Sequence, residues 1–170
     1  DFSTFTFLNI WLVGWFSICL LCLYQPFMKI WMGEELMFPM HMVVLLVIYF
    51  YSWLSRRIGL TYKDAAGLWA EDFWKPYVGT AVNLVCNIAL VVTIGIEGVV
   101  ISTIVVMVFI YFPWETKVLF QKLFHHGLKK YVAKYYFYAL VTVCAAVATY
   151  FITNIVSMDG IGGLLIKGII

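Results

Sequence analysis

Charged residues interrupt this chain so rarely that five stretches are long enough, or nearly so, to cross a bilayer as helices. A helix needs about 20 apolar residues to span the hydrocarbon core. We predict full spans at 5–28, 36–58, 76–96, 98–114 and 135–158, and a truncated sixth at 160–170. With 64% hydrophobic and 12% charged residues, the chain has too little polar surface for a soluble globule. The predicted fold class is an all-α, polytopic transmembrane helix bundle.

The ends of the chain also bear on its organisation. It starts at Asp1 and stops inside an apolar run. The first run is too long for a signal peptide and lacks its basic leading region. We expect the chain to be a fragment of a longer, transporter-like protein.

The basic residues give an orientation. Nine of the eleven Lys and Arg residues fall into two gaps between apolar runs, 56–75 and 117–134. Short loops rich in Lys and Arg remain on the cytoplasmic side, so a chain that crosses repeatedly shows the excess at every second gap. Both gaps are therefore predicted to be cytoplasmic, and the gaps near residues 29–35 and 95–98 external. Nucleic acid is not an expected partner.

The second basic gap carries a helical pattern. Aromatic and leucine side chains recur at helical spacing, with lysines between them, at Phe120, Leu123, Phe124, Leu128 and Tyr131. This pattern predicts an amphipathic helix over 117–134 that lies on the inner membrane surface. His125 and His126 are interpreted as part of its solvated basic face rather than as metal ligands.

The first basic gap contains three candidate site residues, Arg57, Lys63 and Asp64. If the second helix continues to Gly67, its 32 residues from Leu36 would measure about 48 Å, which exceeds the bilayer core. Charges in such a helix face protein or water and are often functional. The three residues would then line a cavity near the inner face. The alternative is an ordinary cytoplasmic loop whose bases only fix the topology.

The third span has a polar stripe that includes Asn83 and Asn87. At 100° per residue these amides share one face with Pro76, Gly79 and Thr80. Unpaired amides are excluded from lipid, so the stripe faces a neighbouring helix or an aqueous path. Interhelical hydrogen bonding and substrate binding by Asn83 and Asn87 both remain open.

Enzymatic and cofactor motifs were not found. The sequence lacks H-E-x-x-H, G-x-S-x-G and P-loop patterns, and its external gaps are short. Cys19 and Cys22 form a C-x-x-C without a second ligand pair, which favours apolar packing. We therefore expect no enzymatic activity, no cofactor and no metal site.

Four short stretches carry a family resemblance: LYQPFMKIWMG at 23–33, YKDAAGLW at 62–69, NLVCNI at 83–88 and GIEGVVIST at 95–103. In this order and spacing the chain resembles the polysaccharide or O-antigen flippases of the superfamily that also holds MATE-type multidrug exporters. The resemblance spans nearly the whole chain and implies part of the C-terminal lobe of a MATE-like transporter.

That resemblance implies a function. Such proteins move an undecaprenyl-pyrophosphate-linked oligosaccharide across the bacterial cytoplasmic membrane by alternating access, for the synthesis of capsule or lipopolysaccharide. Membrane lipids and a coupling cation are further implied partners. Arg57 and Lys63 would attract the pyrophosphate, Asp64 would pair with Lys63 or take part in cation coupling, and Asn83 with Asn87 would bind sugar hydroxyls. A MATE-type drug or metabolite exporter and a membrane glycan polymerase or ligase are the alternatives.

Overall fold

A computed structural model describes the chain from Phe2 to Ile155, with side chains described up to Thr153. The last residues of the predicted fifth span and the whole of the predicted sixth, 160–170, lie outside this part. Within it, every regular element is helical. The helices are α1 (Phe2–Trp31), α2 (Met40–Ser55), α3 (Arg57–Ala65), α4 (Trp74–Ile94), α5 (Ile96–Val106), α6 (Phe112–Leu119) and α7 (Leu128–Ile155). A 3₁₀ turn covers Glu34–Leu36.

Five helical rods are long and apolar enough to cross a membrane. They are Phe2–Trp31, Met40–Ala65, Trp74–Ile94, Ile96–Phe124 and Leu128–Thr153. The second combines α2 with α3, and the fourth joins α5 to α6 through a π-helical turn at Met107–Tyr111 and ends in another at Phe120–Phe124. The rods therefore extend beyond the charge-free stretches, because helix formation does not stop at the first charged residue.

The two basic gaps lie at the same end of the bundle. At this end Arg56 pairs with Glu115, and the Phe2 ring lies 4.9 Å from that of Tyr62 and 4.8 Å from that of Phe124. We call it the base-rich end. At the opposite end His41 lies 2.6 Å from Glu97. The alternation of gaps expected from the basic residues is thus present in the fold.

Helix α1 occupies a central place in the arrangement, between α2 and α7, while α5 lies between α2 and α4. The small core at the base-rich end consists of Ile10, Phe112 and Tyr135. The Phe112 and Tyr135 rings stack with their centroids 4.1 Å apart. Helices α4 and α7 form the two edges and expose apolar side chains over most of their length. In a bilayer this exposure carries little penalty, because lipid chains are as apolar as the side chains.

The second span is interrupted at Arg56, between α2 and α3. The Asn9 side-chain amide donates to the carbonyl oxygens of Leu54 at 3.1 Å and Ser55 at 3.3 Å. The Ser55 hydroxyl bonds that of Tyr135 at 2.6 Å. A polar side chain of α1 therefore satisfies backbone carbonyls at a helix break, as a membrane interior requires, and α7 bonds a side-chain hydroxyl at the same place.

The prediction of one amphipathic helix over 117–134 was wrong. Residues 117–124 continue the fourth span, and α7 begins at Leu128. Between them the chain turns through His125 and Gly127, whose φ angles are 62° and 90°. Both angles are left-handed, which ends a right-handed helix and suits glycine. The aromatic and leucine residues do lie in helices, but they belong to the ends of two different helices.

Candidate functional site

Five charged side chains form a continuous ion network at the base-rich end. Lys63 pairs with Asp72, and Lys75 lies 2.6 Å from Asp72 and 2.8 Å from Glu115. The Arg56 guanidinium donates through Nη1 to both Glu115 carboxylate oxygens, at 2.9 and 3.1 Å. The chain of contacts therefore runs Lys63, Asp72, Lys75, Glu115, Arg56 and joins the second, third and fourth spans.

Local structure explains how these residues meet. The segment after α3 is a series of turns that reverses the chain, with Gly67 at φ 69°, and this places Asp72 over Lys63. Asp72 lies in the last turn before α4 and Lys75 in the first turn of that helix, three residues apart, so their side chains meet. Glu115 lies in the first turn of α6, after Pro113, and points inward to the other side of Lys75.

The network is buried. The Lys63 and Asp72 side chains are 5% and 7% exposed, and the remaining three are between 7% and 12% exposed. Buried charges are tolerated only when they are paired, because removal from water costs several kcal/mol per ion. The buried members of the network are three bases and two acids, and the partly exposed Asp64 lies 3.5 Å from Lys63 and offsets the third base. The cluster therefore neutralises itself, and Arg56 and Lys75 share the single carboxylate of Glu115.

The aromatic ring of Tyr111 covers two of the cations in the network. The Tyr111 ring centroid lies 5.2 Å from the Arg56 guanidinium carbon and 5.8 Å from Lys75 Nζ, distances at which a ring face attracts a cation. Tyr111 also covers Gly79 of α4, where any Cβ atom would overlap its ring. The π-helical turn that contains Tyr111 is a type of irregularity often found at functional sites.

Two buried polar atoms in the network have no hydrogen-bond partner within the described protein, Arg56 Nε and Asp72 Oδ1. A cavity of about 10 Å³ lies beside Arg56, bordered by Glu115, Thr116 and Tyr131. Such a volume is close to the minimum for one water molecule. The Arg56 side of the network thus has room for a small polar group.

The predicted residues of the first basic gap divide into three environments. Lys63 is an inner member of the network. Asp64 is 43% exposed and lies 3.5 Å from Lys63. Arg57 is exposed and takes no part in the network; its guanidinium carbon lies 5.0 Å from the centroid of the Trp53 ring.

Asn83 and Asn87 form a separate group between α4 and α5. The Asn87 amide donates to Asn83 Oδ1 at 2.7 Å, and the Ser102 hydroxyl donates to Asn87 Oδ1. At 1.5 Å per residue these amides lie about 12 and 18 Å along α4 from Lys75. The structure therefore pairs them with each other and with a neighbouring helix, and it does not bring them to the charged residues.

Sequence reasoning missed four members of the network, Arg56, Asp72, Lys75 and Glu115. One signal was available: both acids lie next to apolar spans and near bases, where an unpaired carboxylate would be costly. Which base each acid meets could not be read from one sequence. Within the described residues, no three His, Cys, Asp or Glu side chains are grouped as metal ligands would be.

The five apolar helical rods place the chain among multi-pass membrane proteins by length and composition. Comparisons with protein-family models, with curated proteins and with solved structures found no match.

Proposed function

We propose that the chain belongs to the C-terminal lobe of a MATE-like transporter in the bacterial cytoplasmic membrane, which moves a lipid-linked oligosaccharide for polysaccharide synthesis. The family is proposed because of the sequence resemblance described above. The observation that carries the proposal is the buried network of Arg56, Lys63, Asp72, Lys75 and Glu115, in which Arg56 Nε has no hydrogen-bond partner within the described residues. It lies at the end that the positive-inside rule assigns to the cytoplasm, the side from which the resemblance implies that the substrate enters.

The network supplies a physical reason for alternating access. With all five side chains paired, the second, third and fourth spans are held together at the base-rich end. If α6 moves away from the second span, Arg56 loses Glu115 and needs another anion, because an unpaired buried charge is costly. A pyrophosphate group can take that place through charge-assisted hydrogen bonds. Substrate binding would thereby compensate for opening.

Arg57 has a different part in this proposal. It is exposed beside the network and stacks on Trp53 without a carboxylate partner in the described chain. A guanidinium group binds phosphate oxygens bidentately, so Arg57 offers the first contact to an arriving head group. Asp64, exposed next to Lys63, remains the proposed position for cation coupling.

The test uses the full-length protein that contains this chain, reconstituted into vesicles with undecaprenyl-pyrophosphate-linked oligosaccharide. The rate at which the substrate crosses the membrane is measured. We expect Arg57→Gln to lower that rate about tenfold or more, because one charge-assisted contact of about 1.5–3 kcal/mol is lost. Lys117→Gln removes an exposed base at the same end and serves as the control.

Each alternative has its own outcome. Efflux of organic cations without translocation of the oligosaccharide would replace the proposal with a drug or metabolite exporter. Lengthening or transfer of the glycan in the same vesicles would replace it with a polymerase or ligase. Equal transport rates for Arg57→Gln and Lys117→Gln would remove Arg57 from the substrate path.

A further inference from the structure

An apolar groove of about 350 Å³ runs between α1 and α7 at the edge of the bundle. Its walls are aromatic and aliphatic, with Phe7 and Trp11 on one side and Phe137 and Val141 on the other. Its floor includes Gly14, where the two helices come close enough that an added Cβ would lie 3.0 Å from the Thr142 hydroxyl oxygen. That hydroxyl already donates to the Tyr138 carbonyl at 2.9 Å. The groove therefore offers apolar contact, and the hydroxyl in its floor is already hydrogen-bonded.

Two lysines continue the groove toward the base-rich end. At 100° per residue, Lys130 and Lys134 lie on the same face of α7 as Phe137, Tyr138 and Val141. Both lysines are exposed, and neither has a carboxylate within ion-pair distance in the described chain. Lys129 is also exposed, but the same helical spacing places it on the opposite face. One face of α7 thus combines cationic groups with an apolar channel.

The length of the groove along α7 matches the depth of one leaflet of the bilayer. The groove-lining positions 137–145 of α7 lie about 4–17 Å along the helix from Lys134. One leaflet of the hydrocarbon core is about 15 Å deep. A phospholipid whose phosphate lies at Lys134 would therefore have its chain alongside the full length of the groove. A transmembrane helix in this place would cross both leaflets, whereas the groove-lining positions of α7 extend over the depth of only one.

We infer that the groove between α1 and α7 is a binding site for one anionic phospholipid of the inner leaflet, with an acyl chain against Trp11 and Val141 and the phosphate at Lys130 and Lys134. The volume is in the range of small-molecule sites. Basic residues next to a transmembrane helix each add to the attraction for anionic lipid. The inference does not depend on what the protein transports.

Native mass spectrometry of the purified full-length protein tests the head-group site, with phosphatidylglycerol or phosphatidylcholine added at equal concentrations. We expect the wild type to retain phosphatidylglycerol preferentially. The double variant Lys130→Gln and Lys134→Gln should lower its affinity roughly 25-fold, or about fivefold per lysine. Lys129→Gln, which removes one positive charge on the opposite face, should leave it unchanged.

The groove itself is tested by filling it. Val141 and Val143 are both exposed on α7, at 50% and 58%, but only Val141 lines the groove. Val141→Trp should lower retention of phosphatidylglycerol, and Val143→Trp should not. Equal retention of the two lipids by the wild type would overturn the inference, as would equal effects of Lys129→Gln and the double variant. Unchanged retention in Val141→Trp would also overturn it, since the lipid would then bind outside the groove.

Discussion

Individual charges in this protein are defined by their partners more than by their identity. Lys63 and Asp64 are neighbours in sequence, yet only the Lys63 side chain is enclosed. It pairs with Asp72, and its Nζ lies 5.8 Å from the centroid of the Trp69 ring. Asp64 is 43% exposed and lies 3.5 Å from Lys63. Two buried carboxylates, Asp72 and Glu115, compensate three buried bases. At the residue scale, therefore, the acids limit how many buried bases the bundle can hold.

Replacing Asp72 tests whether the buried bases depend on the buried carboxylates. Asp72→Asn leaves Lys63 and Lys75 buried with one carboxylate fewer, and we expect a loss of about 3–5 kcal/mol in unfolding free energy. Asp64→Asn makes the same chemical change at an exposed position, where an ion pair contributes only about 0–1 kcal/mol. Thermal unfolding of both variants in detergent measures the difference. Similar melting temperatures would mean that the network does not stabilise the fold.

A second residue-scale prediction concerns Gly79. A methyl group there would overlap the Tyr111 ring, so Gly79→Ala should destabilise the protein by about 1–3 kcal/mol through overpacking. Gly59 is also helical, and an added Cβ would lie 3.9 Å from the Tyr131 hydroxyl oxygen. Gly59→Ala should therefore be neutral or stabilising by about 0.5–1 kcal/mol. The same unfolding assay separates the two, and a stable Gly79→Ala variant would show that Tyr111 can move.

At the scale of elements, polar side chains connect helices where the membrane offers no water. Asn9 of α1 satisfies two carbonyl groups at the end of α2, and Asn87 joins α4 to Ser102 of α5. Between α4 and α5 the chain turns at Gly95, whose φ is 78°. Gly98 then lies so close to Leu90 that an added Cβ would be 2.6 Å from its carbonyl oxygen. These contacts make α4 and α5 a closely packed hairpin.

The hairpin gives a test of the polar stripe on α4. Asn87→Ala should lower the unfolding free energy by about 0.6 kcal/mol, and at most about 1.7 kcal/mol, as other interhelical hydrogen bonds do. Thr93→Ala is the control, because its hydroxyl bonds only carbonyls of its own helix. In the vesicle assay, Asn87→Ala should retain transport. A large loss of transport at unchanged stability would favour the other interpretation, in which Asn83 and Asn87 bind sugar hydroxyls.

At the scale of the whole molecule, the five rods form an open arrangement rather than a closed cylinder. The edge helices α4 and α7 remain exposed on most sides, with Val92 83% and Leu140 61% exposed. Most ion pairs and ring stacks between sequence-distant spans lie at the base-rich end, among them the stacked rings of Phe2, Phe112, Tyr131 and Tyr135. That end is therefore the most constrained part of the described bundle.

The orientation of the whole molecule can be tested by cysteine labelling in the full-length protein, after replacement of the native cysteines Cys19, Cys22, Cys86 and Cys144. An impermeant maleimide added to right-side-out vesicles should label Glu35→Cys. It should not label Ala66→Cys or His126→Cys, because the positive-inside rule puts both basic gaps inside. Inside-out vesicles should give the reverse pattern. Labelling of residues 66 and 126 from opposite sides would contradict the fold as well as the orientation.

Much of the fold follows from the sequence because the bilayer is a demanding solvent. Long charge-free stretches must become helices there, since no other open structure satisfies its own backbone in hydrocarbon. The spacing of the basic gaps likewise predicts that 56–75 and 117–134 share one end. The single helix over 117–134 was mispredicted because the spacing of its apolar side chains is continuous. The backbone is not, since His125 and Gly127 adopt left-handed conformations.

The sequence by itself determined the number of described spans, the alternation of their ends and the concentration of charge in two gaps. Those properties depend on the transfer of single side chains into lipid, which needs no knowledge of neighbours. Only the tertiary structure decided that Lys63 is enclosed while Arg57 is open, that Asn87 bonds Ser102, and that Glu115 meets Arg56 from 59 residues away. Pairing depends on distances between helices, and a buried charge is stable or costly according to a partner that one-dimensional spacing cannot identify.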